Sequence, residues 1–337
     1  MSPSFAPEQN GTCSMNVDDN IERSGLKPTI RPFAGRIGGN QGLVLDPSDA
    51  SNAELLKRMP DAAPLMSLKQ SFNLTAFSDI DLWRFGAVEC KKSSLIQNLG
   101  TMMLVFMTSW LSAHSPIPTT TLPASSDSGG IYSTATFLGP LVGGITNWLF
   151  LTLFIFSFSS VSGAHLNPLI TMATFFARLI SIPRMVLYLA GQIIGGTLAG
   201  LMLRTSFGSR NFVVGGCDID TSLVPTGEAF VLEFICCLTL LFLSFGVGLD
   251  PRQSKVYGTA LSPWLVGLSL GVVSWASAFT RLGYGGASLN PARCFGVYVG
   301  SHFPGYHWIH WVGPIAASIG HGLMYYLVPP WAVVTNE

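Results

Sequence analysis

The chain has 337 residues, 48% of them hydrophobic and only 11% charged, and its 18 Lys and Arg balance its 18 Asp and Glu. A soluble domain carries about 25% charged residues, so most of this chain does not read as one. Zero net charge without a basic cluster argues against a nucleic-acid partner.

The missing charge is unevenly distributed. Residues 1–92 hold 10 of the Lys and Arg and 11 of the Asp and Glu, which marks a polar tail followed by a membrane domain over 93–329 and a short tail over 330–337. Up to about residue 85 the tail is rich in Pro, Asn, Ser and Asp without sustained periodicity. Structureless chain is expected there, with one short helix near Ala53–Arg58. Asp79–Lys92 mixes aromatics with charge and reads either as an interfacial lead-in or as an ordinary linker. No signal peptide opens the sequence, so the first span is expected to act as the insertion signal.

Apolar spans follow at about 94–113, 136–160, 185–204, 228–248, 258–280 and 308–329, each near the ~20 residues that a bilayer requires. Lys91, Lys92, Arg178, Arg184, Arg252 and Lys255 all fall on one side of these spans, whereas 114–134 has no Lys or Arg and 205–226 only Arg210. The positive-inside rule then makes both termini cytosolic. The Asn10-Gly-Thr and Asn73-Leu-Thr sequons would be unused on that side. Ser254 sits in an expected cytosolic loop, where phosphorylation is conceivable. Gly191, Gln192, Gly195, Gly196 and Gly200 in span three and Gly313, Pro314, Gly320 and Gly322 in span six give small residues at three- and four-residue spacing, which suits close helix packing more than pore lining. Of the six cysteines none has metal-ligand spacing, and Cys236 and Cys237 read as buried small apolar groups. No cofactor or metal is implied.

Two short stretches repeat. Gly163–Leu169 reads Gly-Ala-His-Leu-Asn-Pro-Leu and Gly286–Cys294 reads Gly-Ala-Ser-Leu-Asn-Pro-Ala-Arg-Cys, with Asn167 and Asn290 123 residues apart. Asn before Pro is a helix-start signal. A helix starting inside an apolar region turns its unpaired N–H groups toward a polar cavity. Three spans per half place the second half upside down relative to the first, so two half-helices enter from opposite faces. The fold class is therefore an all-α membrane protein of six transmembrane helices plus two re-entrant half-helices in an inverted 3+3 repeat, with repeats at about 93–204 and 228–329.

The paired boxes Asn167-Pro168-Leu169 and Asn290-Pro291-Ala292, the following Arg293 and the three-plus-three spans resemble the aquaporin and aquaglyceroporin (major intrinsic protein) superfamily over about Ser93–Pro329. Asn-Pro-Ala-Arg-Cys at 290–294, the altered first box and Gly-Gly-Cys at 215–217 resemble its X intrinsic protein subfamily, in a fungal form. The resemblance implies a homotetramer in a lipid bilayer, most simply the plasma membrane, with one pore per subunit. It further implies an outer filter of Asn147, Ala278, Ala287 and Arg293, wider than a filter with a histidine and an aromatic ring at the first two positions. Carbonyls of Gly163, Ala164, His165, Gly285 and Gly286 would form ladders leading to the boxes, with Ala287 continuing the second.

Each of these positions has a plainer alternative. Asn167 and Asn290 would cap their helices as well as face solute. Asn147 would serve the filter or bond a neighbouring helix. Leu169 would narrow the centre or pack behind its helix, and His165 would gate by pH or anchor its loop. Glu233, with Gln97 at the corresponding place in the first repeat, would brace the half-helix loops rather than relay protons. Loss of one carboxylate at Gln97 is expected to loosen the first loop. Cys217 and Cys294 would form a disulfide within the chain or between subunits. The function these residues imply is passive passage of small uncharged polar solutes (glycerol, urea, boric acid, hydrogen peroxide and some water), with protons and ions excluded. The alternative is a poorly conducting or gated protein whose tail regulates it or binds partners. An enzyme is disfavoured, since the spans offer no paired carboxylates or metal-spaced His and Cys.

Overall fold

The computed structural model describes residues 50–58, 66–74, 93–115, 138–250 and 253–327. Short helices α1 (Ala53–Arg58) and α2 (Leu68–Ser71) precede the apolar part. Then come α3 (Ser93–Trp110), α4 (Leu138–Ser162), the short α5 (Pro168–Phe176), α6 (Ile182–Phe207) and α7 (Thr226–Ser244), which a π turn extends over Phe245–Leu249. After these lie α8 (Gln253–Ala278), the short α9 (Pro291–Gly300) and α10 (Ile309–Leu327). The long helices match the expected spans to within three residues, except that α8 begins at Gln253 and is broken at Gly258, where φ is 70°. Ser254 therefore lies in the first turn of a helix and not in a loop.

Among the described residues four segments are long and apolar enough to cross a bilayer by length and composition alone, at 138–159, 182–207, 226–249 and 260–278. The first and last helices are more polar, and the fold explains why they are tolerated. Gln97 and Thr101 in α3, and His310 and His321 in α10, are all buried against other helices. The outward faces instead carry apolar side chains, Leu153 and Phe156 of α4, Ile194 and Leu198 of α6, Val231 and Ile235 of α7, and Leu323 of α10, all exposed.

The two repeats exchange their short helices. In each half the first and third long helices pack together, α3 with α6 and α7 with α10, while α9 lies along α6 and α5 along α10. The second long helices, α4 and α8, form the remaining seam. Glycine permits these approaches: a Cβ on Gly196 would strike the Ala292 carbonyl, one on Gly200 the Gly296 carbonyl, and one on Gly195 the Asn98 carbonyl. Across α5 and α10, Gly322 meets Phe176, and Gly313 sits on Glu233 with 2.9 Å from its would-be Cβ to Cγ. Gly320 faces open space, so the small-residue pattern overstates that face.

At the face that carries the 208–225 loop, Ala113–His114 pairs antiparallel with Val213–Val214 as strands β1 and β2. On the opposite face residues 66–74 are packed rather than structureless. Met66 is buried and donates its N–H to the Arg178 carbonyl at 3.0 Å, and the Phe72 ring meets Phe175 edge-on at 5.6 Å. Asn10, Cys13, Asp79–Lys92 and the tail 330–337 lie outside the described residues.

Candidate functional site

Asn167 and Asn290 stand at the starts of α5 and α9 in extended conformation, followed by proline in the first turn. Asn167 Oδ1 accepts the Leu169 N–H at 2.9 Å and Asn290 Oδ1 accepts the Arg293 N–H at 3.3 Å. Each amide nitrogen reaches across to the other repeat: Asn167 Nδ2 donates to the Leu289 carbonyl (2.8 Å) and Asn290 Nδ2 to the Leu166 carbonyl (3.2 Å). Capping and cross-repeat locking thus use the oxygen and one amide hydrogen. The second hydrogen of each amide remains for the cavity that both residues line. The carbonyls are presented by left-handed backbone at Leu166 (φ 50°) and Leu289 (φ 56°), a conformation costing about 1 kcal/mol or more in a non-glycine residue.

The preceding loops hang from two buried side chains. Glu233 of α7 accepts the Ser288 N–H at 2.9 Å, the Leu289 N–H at 3.3 Å and the Ser288 hydroxyl, with His310 Nδ1 at 3.5 Å. Gln97 of α3 accepts the Leu166 N–H at 3.0 Å and donates to the Ser162 carbonyl at 3.3 Å, while Gln192 Nε2 donates to Gln97 Oε1 at 3.2 Å. The amide therefore braces its loop in both directions. The loosening expected from the missing carboxylate is replaced by a second anchor, Ser162, whose carbonyl also accepts the Tyr188 hydroxyl at 2.9 Å.

His165 joins this anchorage. Its Nδ1 lies 3.1 Å from Thr171 Oγ1 and its ring stands edge-on to Tyr188 at 5.2 Å, contacts that support the loop-anchoring alternative. Leu169 is fully buried in the apolar core with Ala173, Leu240 and Leu241 and does not line the cavity. Of its two alternatives, the geometry gives packing behind the helix.

Arg293 is held from the 208–225 loop. Its Nη2 donates to the Gly215 carbonyl at 2.7 Å, and its Nη1 lies 3.5 Å from Cys217 Sγ. Cys217 is joined to Cys294 by a disulfide within the chain, Cα to Cα 5.3 Å, so the loop and the first turn of α9 are one covalent unit around the guanidinium. Glycine is required at 216: φ is 81°, and a Cβ there would sit 2.8 Å from Arg293 Nη1. On the other helices, Asn147 Nδ2 donates to Ser274 Oγ at 3.0 Å. Ala278 faces Gly286, whose would-be Cβ is 2.9 Å from Ala278 Cβ.

The two asparagines, His165, Arg293 with its Gly215 anchor, Asn147, Ser274 and Ala278 border one cavity of about 910 Å³. Its lining includes Leu223, just before α7 begins, and Leu249, where the π turn ends. It therefore has lining residues beyond both ends of α7, a helix whose length at ~1.5 Å per residue is on the order of a bilayer. Asn147, Ala278, Ala287 and Arg293 line it, as do Ala164, His165, Gly285 and Gly286. Gly163 does not, and the Gly285 carbonyl already accepts the Gly216 N–H at 2.7 Å, so these two fit the ladder expectation poorly. Asp220 borders the loop end. The Ser222 hydroxyl and N–H hold its carboxyl below the usual carboxylate range, keeping a negative charge at that mouth.

Residues 85–325 match the family described as Major intrinsic protein. The chain belongs to the major intrinsic protein family. It is 34% identical over 169 residues to the probable aquaporin TIP4-1 of Oryza sativa subsp. japonica, a match covering 49% of this chain and 62% of that one. To aquaporin-B of Dictyostelium discoideum it is 30% identical over 211 residues, covering 55% and 69% respectively. The chain spans 60% to 64% of the length of the plant relatives it matches. The crystal structure of the aquaglyceroporin from Plasmodium falciparum shares the fold, with a TM-score of 0.51 over 70% of this chain and 96% of that one at 19% identity.

In this major intrinsic protein the sequence reading missed several members of the site. Ser274 stands four residues before Ala278, hence on the same face of α8, and that spacing was the available signal. Gln192 was visible only as a polar residue in a glycine-rich span. His310, the Gly215 carbonyl and the crossed Asn-to-Leu bonds join residues far apart in sequence, and no local pattern marks them.

Proposed function

We propose that this family member is a passive channel for small uncharged polar solutes: glycerol, urea, boric acid, hydrogen peroxide and some water. The observation that carries the reading is the single cavity bordered by both asparagines, Arg293 and the small residues Ala278 and Ala287. Two half-helix N-termini bring positive dipole ends to its centre. A permeating hydroxyl or water accepts from both asparagines there, which breaks a donor-to-acceptor proton wire, and at that centre cations meet a positive field, the lining carboxylates Asp218 and Asp220 standing in the 208–225 loop. Asn147, Ala278, Ala287 and Arg293 form the filter, wide because alanine replaces bulk and polar at Asn147 and Arg293. We assign the chain to the X intrinsic protein subfamily, in a fungal form, as a plasma-membrane homotetramer with cytosolic termini. The box around 290–294 and the charge bias of the loops support that assignment.

Stopped-flow light scattering on reconstituted vesicles tests this reading. Glycerol and urea flux should exceed that of empty vesicles and fall to background in an Asn290→Leu variant. Flux at background in the folded wild type would contradict it. A second reading, regulation by the tail, draws on Met66 and Phe72 seated at the end of α5. Under it, deletion of residues 1–85 raises flux, and unchanged flux removes it.

A further inference from the structure

Helices α4 and α8 touch at glycine. A Cβ on Gly144 would lie 2.7 Å from the Gly271 carbonyl, and one on Gly271 2.6 Å from the Gly144 carbonyl. Three residues further along each helix stand Asn147 and Ser274. A backbone approach this tight lets two short side chains meet across the seam, and they do so at 3.0 Å. Away from the cavity the same seam is closed by Trp148 and Trp264, rings 4.6 Å apart, with Trp148 Nε1 donating to the Trp264 carbonyl at 3.1 Å. Packing is thus secured without the polar pair.

Nearby Ser277 is occupied: its hydroxyl accepts the Ala287 N–H at 3.1 Å and donates to the Ser274 carbonyl at 3.2 Å. Ser274 and Asn147 keep unused capacity. Asn147 has given Nδ2 and retains Oδ1 as acceptor; Ser274 has accepted at Oγ and retains its O–H as donor. Both residues line the cavity beside Ala278.

We propose that Asn147 and Ser274 act as one hydrogen-bonding unit, a second polar pole of the filter besides Arg293, that favours polyols over water. The proposal rests on the channel reading above. An acceptor on Asn147 and a donor on Ser274, held side by side by the 3.0 Å bond between Nδ2 and Oγ, complement neighbouring hydroxyls of a polyol, each of which both donates and accepts. The polyol's C–H edge then lies on Ala278 and Ala287, surface that offers water nothing. Water loses bulk partners at the same place and gains no apolar contact in return.

The test compares glycerol and water permeability of vesicles holding the wild type, Ser274→Ala or Ser274→Thr, each confirmed monodisperse in detergent. Loss of the hydroxyl should lower the glycerol-to-water ratio about three- to tenfold, the range for one hydrogen bond, and threonine, which keeps the hydroxyl, should restore it. An unchanged ratio in Ser274→Ala alongside glycerol flux in the wild type overturns this inference alone. Equal loss of both fluxes, unrescued by threonine, overturns it as well by reducing Ser274 to a structural contact. A wild type that passes no glycerol overturns the channel reading, and this inference with it.

Discussion

Glu233 and Gln97 hang equivalent loops with different chemistry, and substitutions there should behave differently. Removing Glu233 leaves the Ser288 and Leu289 N–H groups without acceptors in a water-poor interior. Glu233→Ala should therefore cost about 3–5 kcal/mol, read as a lowered thermal midpoint in detergent. Gln97→Glu restores a carboxylate but sets an acceptor against the Ser162 carbonyl that now receives an N–H. It should cost about 1–3 kcal/mol, and an equal or higher midpoint would contradict the bracing role. At Ala278 the backbone of Gly286 closes off one side, so an imidazole placed there must project into the cavity. Ala278→His should depress glycerol flux more than water flux; equal loss of both would argue against the four-residue filter.

Among the elements, the seam between α6 and α9 is the least forgiving. Carbonyls of Ala292 and Gly296 occupy the places where Cβ atoms on Gly196 and Gly200 would go, so even one added methyl must push α9, and Arg293 with it, away from α6. Gly200→Leu should abolish the monodisperse peak in size-exclusion chromatography, whereas Gly320→Leu, which meets nothing, should leave it intact. The elements themselves were largely legible. Six apolar runs of bilayer length and two Asn-Pro starts place the long and short helices to within a few residues, because solvation by lipid and helix capping are local requirements. The crossing of each short helix to the other repeat was not legible, since it joins surfaces as distant in sequence as Gly196 and Ala292 or Phe176 and Gly322. Nor was the π turn at Phe245–Leu249, where an apolar run looks the same whichever hydrogen-bond register it adopts. Residues 66–74 escaped notice for a related reason: two side chains, Met66 and Phe72, supply the anchoring, too few to make a period.

For the molecule as a whole, the disulfide and the crossed asparagines tie the repeats together around one cavity. The Cys217–Cys294 bond closes within one chain, so nonreducing electrophoresis should show no cross-linked dimer that disappears in Cys217→Ser. Such a dimer would contradict the intrachain pairing. The Arg293 anchor at the Gly215 carbonyl then depends on a loop fastened at its far side, and the filter's shape is a property of the assembled fold rather than of any one span. What decides the account is whether that assembled cavity passes neutral solute while refusing protons. Glycerol efflux and the decay of an imposed pH gradient should be recorded on the same reconstituted vesicles, by light scattering and by an entrapped pH-sensitive dye. Glycerol flux well above that of empty vesicles, with proton leak at the empty-vesicle rate, is the predicted result. Glycerol at background, or proton leak rising with glycerol flux, would contradict it.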